Sequence, residues 1–311
     1  MTNPDQTSLV TGGAGFIGSE LVRQLLEDGE KVIVYDNFSF GRRSNLPEHK
    51  NLEVVEGDIV DIEGLQRAFD KYSPSKVFHL AALHFIPYCI KHPQETIRVN
   101  VEGTLNVLEA CKKGPVKGLV YASSAAVYPV RDIPHHESDL PGPLEIYGMS
   151  KLFGEHLVKS FHSDTGVQSY VARFFNGYGP RETNPHVIPE ILEQVSHSDQ
   201  IRLGNVEPKR DYIHTSDISR AVRMMAGKGT SGLEVFNVGT GEGISVREIV
   251  DLIADILKRP LEIVSDDSRK RKVERYQLVS DISKIRNELG WKPQISFRDG
   301  LLDLLRSVGL L

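Results

Sequence analysis

Cysteine is nearly missing from this chain. Cys89 and Cys111 are the only two in 311 residues, and they stand far apart and fit no ligand spacing, so neither a disulfide framework nor a zinc site is suggested. No apolar stretch approaches the ~20 residues that a membrane span requires. The opening "MTNPDQTSLV" lacks the basic-then-apolar pattern of a signal peptide. The expectation is a cytoplasmic protein with no membrane partner. Basic charge is also in short supply: 37 Lys and Arg against 42 Asp and Glu give a net charge of −5. That balance leaves no electrostatic footprint for nucleic acid. The run "RKRK" at 269–272 stands against the trend and reads as a solvated loop, Arg271 apart. His135 and His136 read as a loop pair rather than a metal site, because no carboxylate–histidine spacing supports them. Internal repeats and low-complexity segments are absent.

What is present is a regular alternation. Short apolar strands are expected at 8–12, 31–36, 52–58, 76–82, 118–124 and 167–175. Helical periodicity predicts helices over 16–29, 94–114 and 145–166. Strands that are apolar throughout and alternate with helices imply a parallel sheet covered on both faces, a doubly wound α/β fold. After about residue 176 the pattern loosens into Gly, Pro and Asn-rich loops with short elements. The expected division is a main domain over 1–176 and a smaller C-terminal α/β lobe over 177–311, with some of its segments returning to the main sheet.

The first strand runs into "GGAGFIG", with Gly12, Gly15 and Gly18 spaced three apart before a helix. An acidic residue, Asp36, ends the second strand. In that context the glycines form a dinucleotide fingerprint of the Rossmann type. They let the backbone approach a pyrophosphate resting on the positive end of the helix. Asp36 can accept from both hydroxyls of an adenosine ribose and would repel a 2′-phosphate, which favours NAD over NADP; Arg42 and Arg43 lie close by in sequence. Further on, "YGMSK" puts Tyr147 and Lys151 one helical turn apart. The pair has two readings: an amphipathic helix with its lysine in water, or a proton-transfer pair in which the ammonium acidifies the phenol.

Taken together, the glycine spacing, "GD" at 57–58, "HLAA" at 79–82, "YASSAAVY" at 121–128 and the Tyr147/Lys151 pair resemble the extended short-chain dehydrogenase/reductases. "RFFNGYGPR" (173–181), "RDYIHTSDI" (210–218), "FNVGTGEGISV" (236–246) and "ELGWKP" (288–293) narrow the resemblance to nucleotide-sugar epimerases and dehydratases. It covers essentially the whole chain. The resemblance implies that Phe16 and Ile17 lie over the pyrophosphate, Asp36 and Asn37 hold the adenosine ribose, and Asp58 and Ile59 meet the adenine. Leu80, Ala81 and Ala82 would line the cofactor, and Asn100 falls near the active site, either there or as a buried tie between helix and sheet. Ser124, Tyr147 and Lys151 match the family's catalytic trio. Lys151 would hold the nicotinamide ribose and, with the charge of NAD, lower the pKa of Tyr147. Asn176, Arg210 and Arg271 would grip the diphosphate and nucleoside, where a guanidinium fork suits phosphate oxygens. Glu274 stands where the family more often has an aspartate on the ribose. His84 and His186 are read equally as substrate contacts and as structural histidines. Leu278 aligns with the position that gates N-acetyl groups.

The residues after Ser124 separate the reactions. Dehydratases of the family place an Asp–Glu pair there, whereas this chain has Ala125 and Ala126. Oxidation and re-reduction at one carbon is then the expected chemistry: 4-epimerisation of a UDP-hexose such as UDP-glucose or UDP-galactose, with NAD as cofactor. UDP-glucuronate is the alternative substrate, for which Arg181 could meet the carboxylate, and another nucleotide-sugar dehydratase or reductase is the alternative reaction. A non-catalytic NAD-sensing module is the alternative of a different class, and the intact trio argues against it. A homodimer is expected through a four-helix interface, with Ile97, Leu105, Leu108, Phe153, Leu157 and Phe161 outward and Gly154 allowing close helix approach.

Overall fold

The computed structural model describes residues 6–229, 232–269 and 275–311. Its first half runs β1 (Thr7–Thr11), α1 (Phe16–Glu27), β2 (Lys31–Asp36), β3 (Leu52–Glu56), α2 (Ile62–Tyr72) and β4 (Lys76–His79). There follow α3 (Ile86–Lys91), α4 (Pro93–Ile97), α5 (Gly103–Lys113), β5 (Gly118–Ser124), α6 (Ile146–Thr165) and β6 (Gln168–Phe174). The second half opens with β7 (Asn176–Tyr178), α7 (Val187–His197), β8 (Gln200–Leu203), β9 (Lys209–Arg210), β10 (Tyr212–His214) and α8 (Thr215–Gly227). It closes with β11 (Leu233–Val238), β12 (Ile244–Ser245), α9 (Val246–Leu257), β13 (Glu262–Ser265), β14 (Gln277–Leu278), α10 (Ser283–Leu289) and α11 (Phe297–Ser307).

Seven strands make one parallel sheet in the order β11-β6-β5-β4-β1-β2-β3. The expected doubly wound fold is therefore present, and the direction of winding reverses between β1 and β4, where such sheets open a crevice at their carboxyl ends. Both faces are covered. Leu21, Val22 and Leu25 of α1 pack with Ile218, Val222 and Met225 of α8 on one face. Leu65 and Phe69 of α2, Val107 of α5 and Val158 and Phe161 of α6 fill the other. A separate core joins α7, α9 and α11 with β8, through Ile191, Ile201, Ile253 and Leu301. The chain after residue 176 is shared between these bodies: β11 pairs with β6 in the main sheet, while α8 lies in the main core.

Several elements differ from the sequence reading. Two helices, α2 and α3, occupy segments where no element was expected. The helix expected over 94–114 is divided by a π-helical turn at Arg98–Glu102. β3 and β4 stop at Glu56 and His79, short of the expected ends. On the face expected to be outward, Ile97, Leu105 and Phe153 are exposed, but Leu108 (2%) and Phe161 (1%) are core residues, and Leu157 is half-buried. A Cβ at Gly154 would lie 2.0 Å from Tyr121 Oη. Its missing side chain therefore admits Tyr121 of the neighbouring strand, not a partner helix. His135 lies in the loop between β5 and α6 as expected, but inside the protein: it is fully buried, stacks on Tyr128 at 4.6 Å and makes an isolated bridge to Ser280.

Candidate active site

A cleft of about 1600 Å³ opens at the carboxyl ends of the strands. That is larger than the space one small ligand takes, and suits two bound side by side. At one end, Gly12, Gly15, Phe16, Ile17 and Gly18 line it. Gly12 has φ +70°, and a Cβ there would come 2.8 Å from Ala81. A Cβ on Gly18 would sit 2.1 Å from the Gly12 carbonyl. Only glycines let the turn, the start of α1 and the end of β4 meet this closely. Gly15 caps α1 without a side chain, so the helix presents its first N–H groups to whatever anion lies there.

Asp36, at the end of β2, accepts from Ala14 N at 2.9 Å through one oxygen and from Phe38 N at 2.8 Å through the other. Each oxygen keeps acceptor capacity for a further donor. Burial raises the pKa of this carboxyl, against the two backbone bonds that lower it. Asn37 Nδ2 donates to Asp58 Oδ2 at 3.0 Å, joining the ends of β2 and β3. Asp58, Ile59, Leu80, Ala81 and Ala82 line the same cleft. Glycine turn, helix end and paired acids together fit a dinucleotide. Asn100 does not join them. Its Oδ1 accepts from Leu83 N (2.8 Å), and its Nδ2 donates to Leu83 O (2.9 Å) and Ser150 Oγ (3.0 Å). With every bond internal and 1% exposure, it ties the π-helical turn to the loop after β4 rather than touching a cofactor.

Ser124, Tyr147 and Lys151 converge on the floor of the cleft. Ser124 ends β5, and its Oγ accepts from Ala126 N at 3.1 Å. Tyr147 and Lys151 project from the first turns of α6, whose start is fixed by Glu145: the carboxylate accepts from Tyr147 N (2.8 Å) and Gly148 N (3.2 Å). Lys151 Nζ donates to Ala122 O at 2.8 Å and stands 6.0 Å from the Tyr147 ring centroid. Burial holds the Tyr147 phenol above its usual range, while a hydrogen bond with Ser124 pulls the other way. In the protein alone burial outweighs that hydrogen bond, and Lys151 is not among the groups that lower the phenol. Burial also brings the Lys151 ammonium down to about 8. Ala125 and Ala126 are buried beside the trio.

Asn176, Arg210 and Leu278 line the opposite wall. Arg210 Nη1 donates to the carbonyls of Lys209 (2.9 Å) and Arg275 (2.7 Å). Leu278 packs among Ala125, Val127, Tyr128 and Phe175. Arg271 and Glu274 lie outside the described residues. His84 and His186 both face the cleft, their rings 5.7 Å apart. Asn184 Nδ2 donates to His84 Nε2 at 3.1 Å, and the ring also bonds the Ala82 backbone. Burial lowers the His84 pKa to about 4, so its role is that of a neutral bridge between two loops. His186 Nδ1 donates to Glu182 Oε2 at 3.0 Å, while Glu182 Oε1 accepts from Thr183 N and Asn184 N. Glu145, Glu182 and Asn184 were not anticipated; the four-residue spacing of Glu182 and His186 was the one signal available. Arg181 is committed elsewhere: its guanidinium donates to Ser19 Oγ (3.1 Å) and Glu20 Oε2 (2.8 Å) on α1. It does not line the cleft, so the carboxylate contact considered for it has no support. Among the described residues, no cluster of three or more His, Cys, Asp or Glu could hold a metal ion. Nor is any described helix long and apolar enough to cross a membrane.

Known proteins resemble this chain over nearly its whole length. The family described as GDP-mannose 4,6 dehydratase matches residues 9–304. A putative UDP-glucose 4-epimerase of Methanocaldococcus jannaschii is 33% identical over 94% of this chain and 95% of its own. The structure of the Thermotoga maritima UDP-glucose 4-epimerase with UDP-glucose is 32% identical, covering 97% of this chain and 98% of that one, with a TM-score of 0.89. The Thermus thermophilus UDP-glucose 4-epimerase in complex with NAD is 31% identical over 98% of this chain and all of that one, with a TM-score of 0.88. The chain belongs to the nucleotide-sugar epimerase and dehydratase family of the extended short-chain dehydrogenase/reductases.

Proposed function

We propose that this protein is an NAD-dependent 4-epimerase of a UDP-hexose, with UDP-glucose and UDP-galactose as its interconverting pair. One observation carries the reading: Ser124, Tyr147 and Lys151 meet in one cleft with the glycine turn, and buried alanines follow the serine. The cleft therefore offers a group that can take and return a proton at one carbon, and no acid after Ser124 to expel a hydroxyl.

The cradle at Gly12–Gly18 takes the pyrophosphate of NAD, Asp36 and Asn37 the adenosine ribose, and Asp58 and Ile59 the adenine. Bound there, the dinucleotide supplies the acceptor and then the donor of the hydride at C4. Tyr147 Oη takes the proton of the 4-hydroxyl and later returns it. Ser124 Oγ holds the same sugar oxygen in both directions. Lys151 binds the nicotinamide ribose, and the positive charge gathered at this end of the cleft offsets the burial that keeps Tyr147 protonated. Arg210 anchors the diphosphate while the sugar turns, with Asn176 on the sugar; Arg271 and Glu274 keep the nucleoside contacts that the family resemblance implies. Leu278 leaves room for an N-acetylated sugar. His186, oriented by Glu182, faces the substrate. The lobe formed by much of 177–311 is the nucleotide-sugar side of the cleft. The protein works in the cytoplasm as a homodimer, through the exposed apolar faces of α4, α5 and α6.

Tyr147→Phe tests this assignment. It should bind NAD and nucleotide sugar nearly as wild type, yet lose about 10²–10⁴-fold in turnover. A variant that keeps more than about half of the wild-type rate would remove Tyr147 as the base.

A further inference from the structure

Tyr147, Lys151 and Glu155 stand four residues apart on α6, so one stripe of the helix carries all three toward the sheet. Glu155 is 8% exposed, and its carboxylate is fully engaged. Ser123 Oγ donates to Oε1 at 2.5 Å. Arg173 of β6 grips it with two bonds, Nε to Oε1 at 2.9 Å and Nη2 to Oε2 at 2.7 Å. From Arg173 the network continues through Nη1 to Tyr128 Oη (2.9 Å), whose hydroxyl donates to Asn237 Oδ1 on β11 (2.7 Å). Four elements that surround the cleft floor, α6, β5, β6 and β11, are thereby locked together. The reaction as drawn uses none of these groups.

We propose that Glu155 is a positioning residue for the epimerisation, fixing Ser124 through its neighbour Ser123 and supporting the charge of Lys151 one turn away. The inference rests on the assignment of Ser124, Tyr147 and Lys151 as the reacting groups. Its geometric half follows from strand alternation: Ser123 and Ser124 point to opposite faces of β5, so anchoring Ser123 sets the register of Ser124. The same carboxylate belongs to the helix that carries Tyr147, so one side chain fixes the spacing between acceptor and partner.

The electrostatic half concerns what surrounds Lys151. From its own helix it meets Tyr147 and Glu155. From β5 it meets the Ala122 carbonyl and, at 5.1 Å, the Tyr121 ring. Cys89 of α3 also acts on it, but burial pushes that thiol up and keeps it neutral. His79 of β4 and His84 of the following loop feel the ammonium in return, and burial keeps both imidazoles neutral. Glu155 is thus the carboxylate that opposes the effect of burial on Lys151. Arg173 attenuates it by pairing. Removing the Glu155 charge lets Lys151 lose its proton at a lower pH, so the alkaline limb of turnover should move toward acid.

The test compares wild type with Glu155→Gln and with the charge-free pair Glu155→Gln/Arg173→Met, which leaves no buried unpaired charge. Turnover and KM for the UDP-sugar are followed across pH, beside melting temperature. In Glu155→Gln the alkaline limb of kcat should fall by about one pH unit, with kcat reduced and KM changed less than about twofold. The pair variant should show a shift of the same sign, and it decides the matter alone if the single variant does not fold. Variants that melt lower yet keep the wild-type limb and kcat would show Glu155 to be purely structural and overturn the proposal. Failure of the underlying assignment is separately visible, as full turnover in Tyr147→Phe.

Discussion

Replacing Asn100 with alanine should cost the fold far more than it costs any ligand contact. The side chain makes three buried hydrogen bonds, two of them to the N–H and C=O of Leu83. Leu83 N would be left unpaired in the interior, at about 1–3 kcal/mol, and Leu83 O would keep only the weak Cys89 thiol contact at 3.6 Å. With the lost bond to Ser150, the total is about 3–5 kcal/mol. In a chain of this length that corresponds to a fall of about 5–10 °C in Tm. Asn100→Asp should be no better, since a carboxylate accepts from Leu83 N but cannot donate to Leu83 O, and it buries a charge. Leu83 packs with Tyr147, so turnover should drop as the loop loosens, with NAD affinity within a few-fold of wild type. Thermal unfolding followed by circular dichroism, alongside NAD titration, checks this. An alanine variant that melts within about 1 °C of wild type but no longer binds NAD would refute the reasoning and return Asn100 to the cofactor.

Other perturbations have equally definite outcomes. Asp36→Ala should weaken NAD and relax the preference against NADP, measured by titration with both; wild-type protein that binds NADP more tightly than NAD would overturn the role of Asp36. Phe153, 56% exposed on α6 beside Met149 at 48%, should be central to the dimer. Phe153→Glu is expected to shift the light-scattering mass from dimer to monomer, and a wild-type monomer at micromolar concentration would contradict the interface itself.

The central strands of the main sheet were legible because they carry apolar runs buried on both faces, as "VIVY" in β2 shows, whereas the edge strand β3 carries the exposed Glu53. The glycine turn and the Tyr147/Lys151 pair were legible in local spacing, while Ser124 and the catalytic reading of the pair came from the family resemblance. α2 escaped because its apolar residues Leu65, Ala68 and Phe69 make a narrow stripe in an otherwise charged segment with Gly64 inside it. The π-helical turn escaped for a different reason: Asn100 bonds to Leu83, seventeen residues away, and no local pattern reports that. The outward faces of α5 and α6 were only partly legible. At about 100° per residue, Phe161 is rotated about 80° from Phe153, and Leu108 about 60° from Leu105. On a helix with apolar residues that widely spread, periodicity does not say which edge of the stripe meets the sheet. Arg181 and Glu182 are neighbours in the loop, yet one turns to α1 and the other into the cleft, a choice made by partners distant in sequence.

The central claim is reversible inversion at C4, and the most direct measurement is product analysis. Purified protein with NAD is incubated separately with UDP-glucose and with UDP-galactose, and the sugars are followed by NMR. Each sugar should convert to the other and both reactions should reach one mixture, with no net change in cofactor and no water lost. Accumulation of a 4-keto-6-deoxy sugar, or turnover confined to UDP-glucuronate, would contradict it.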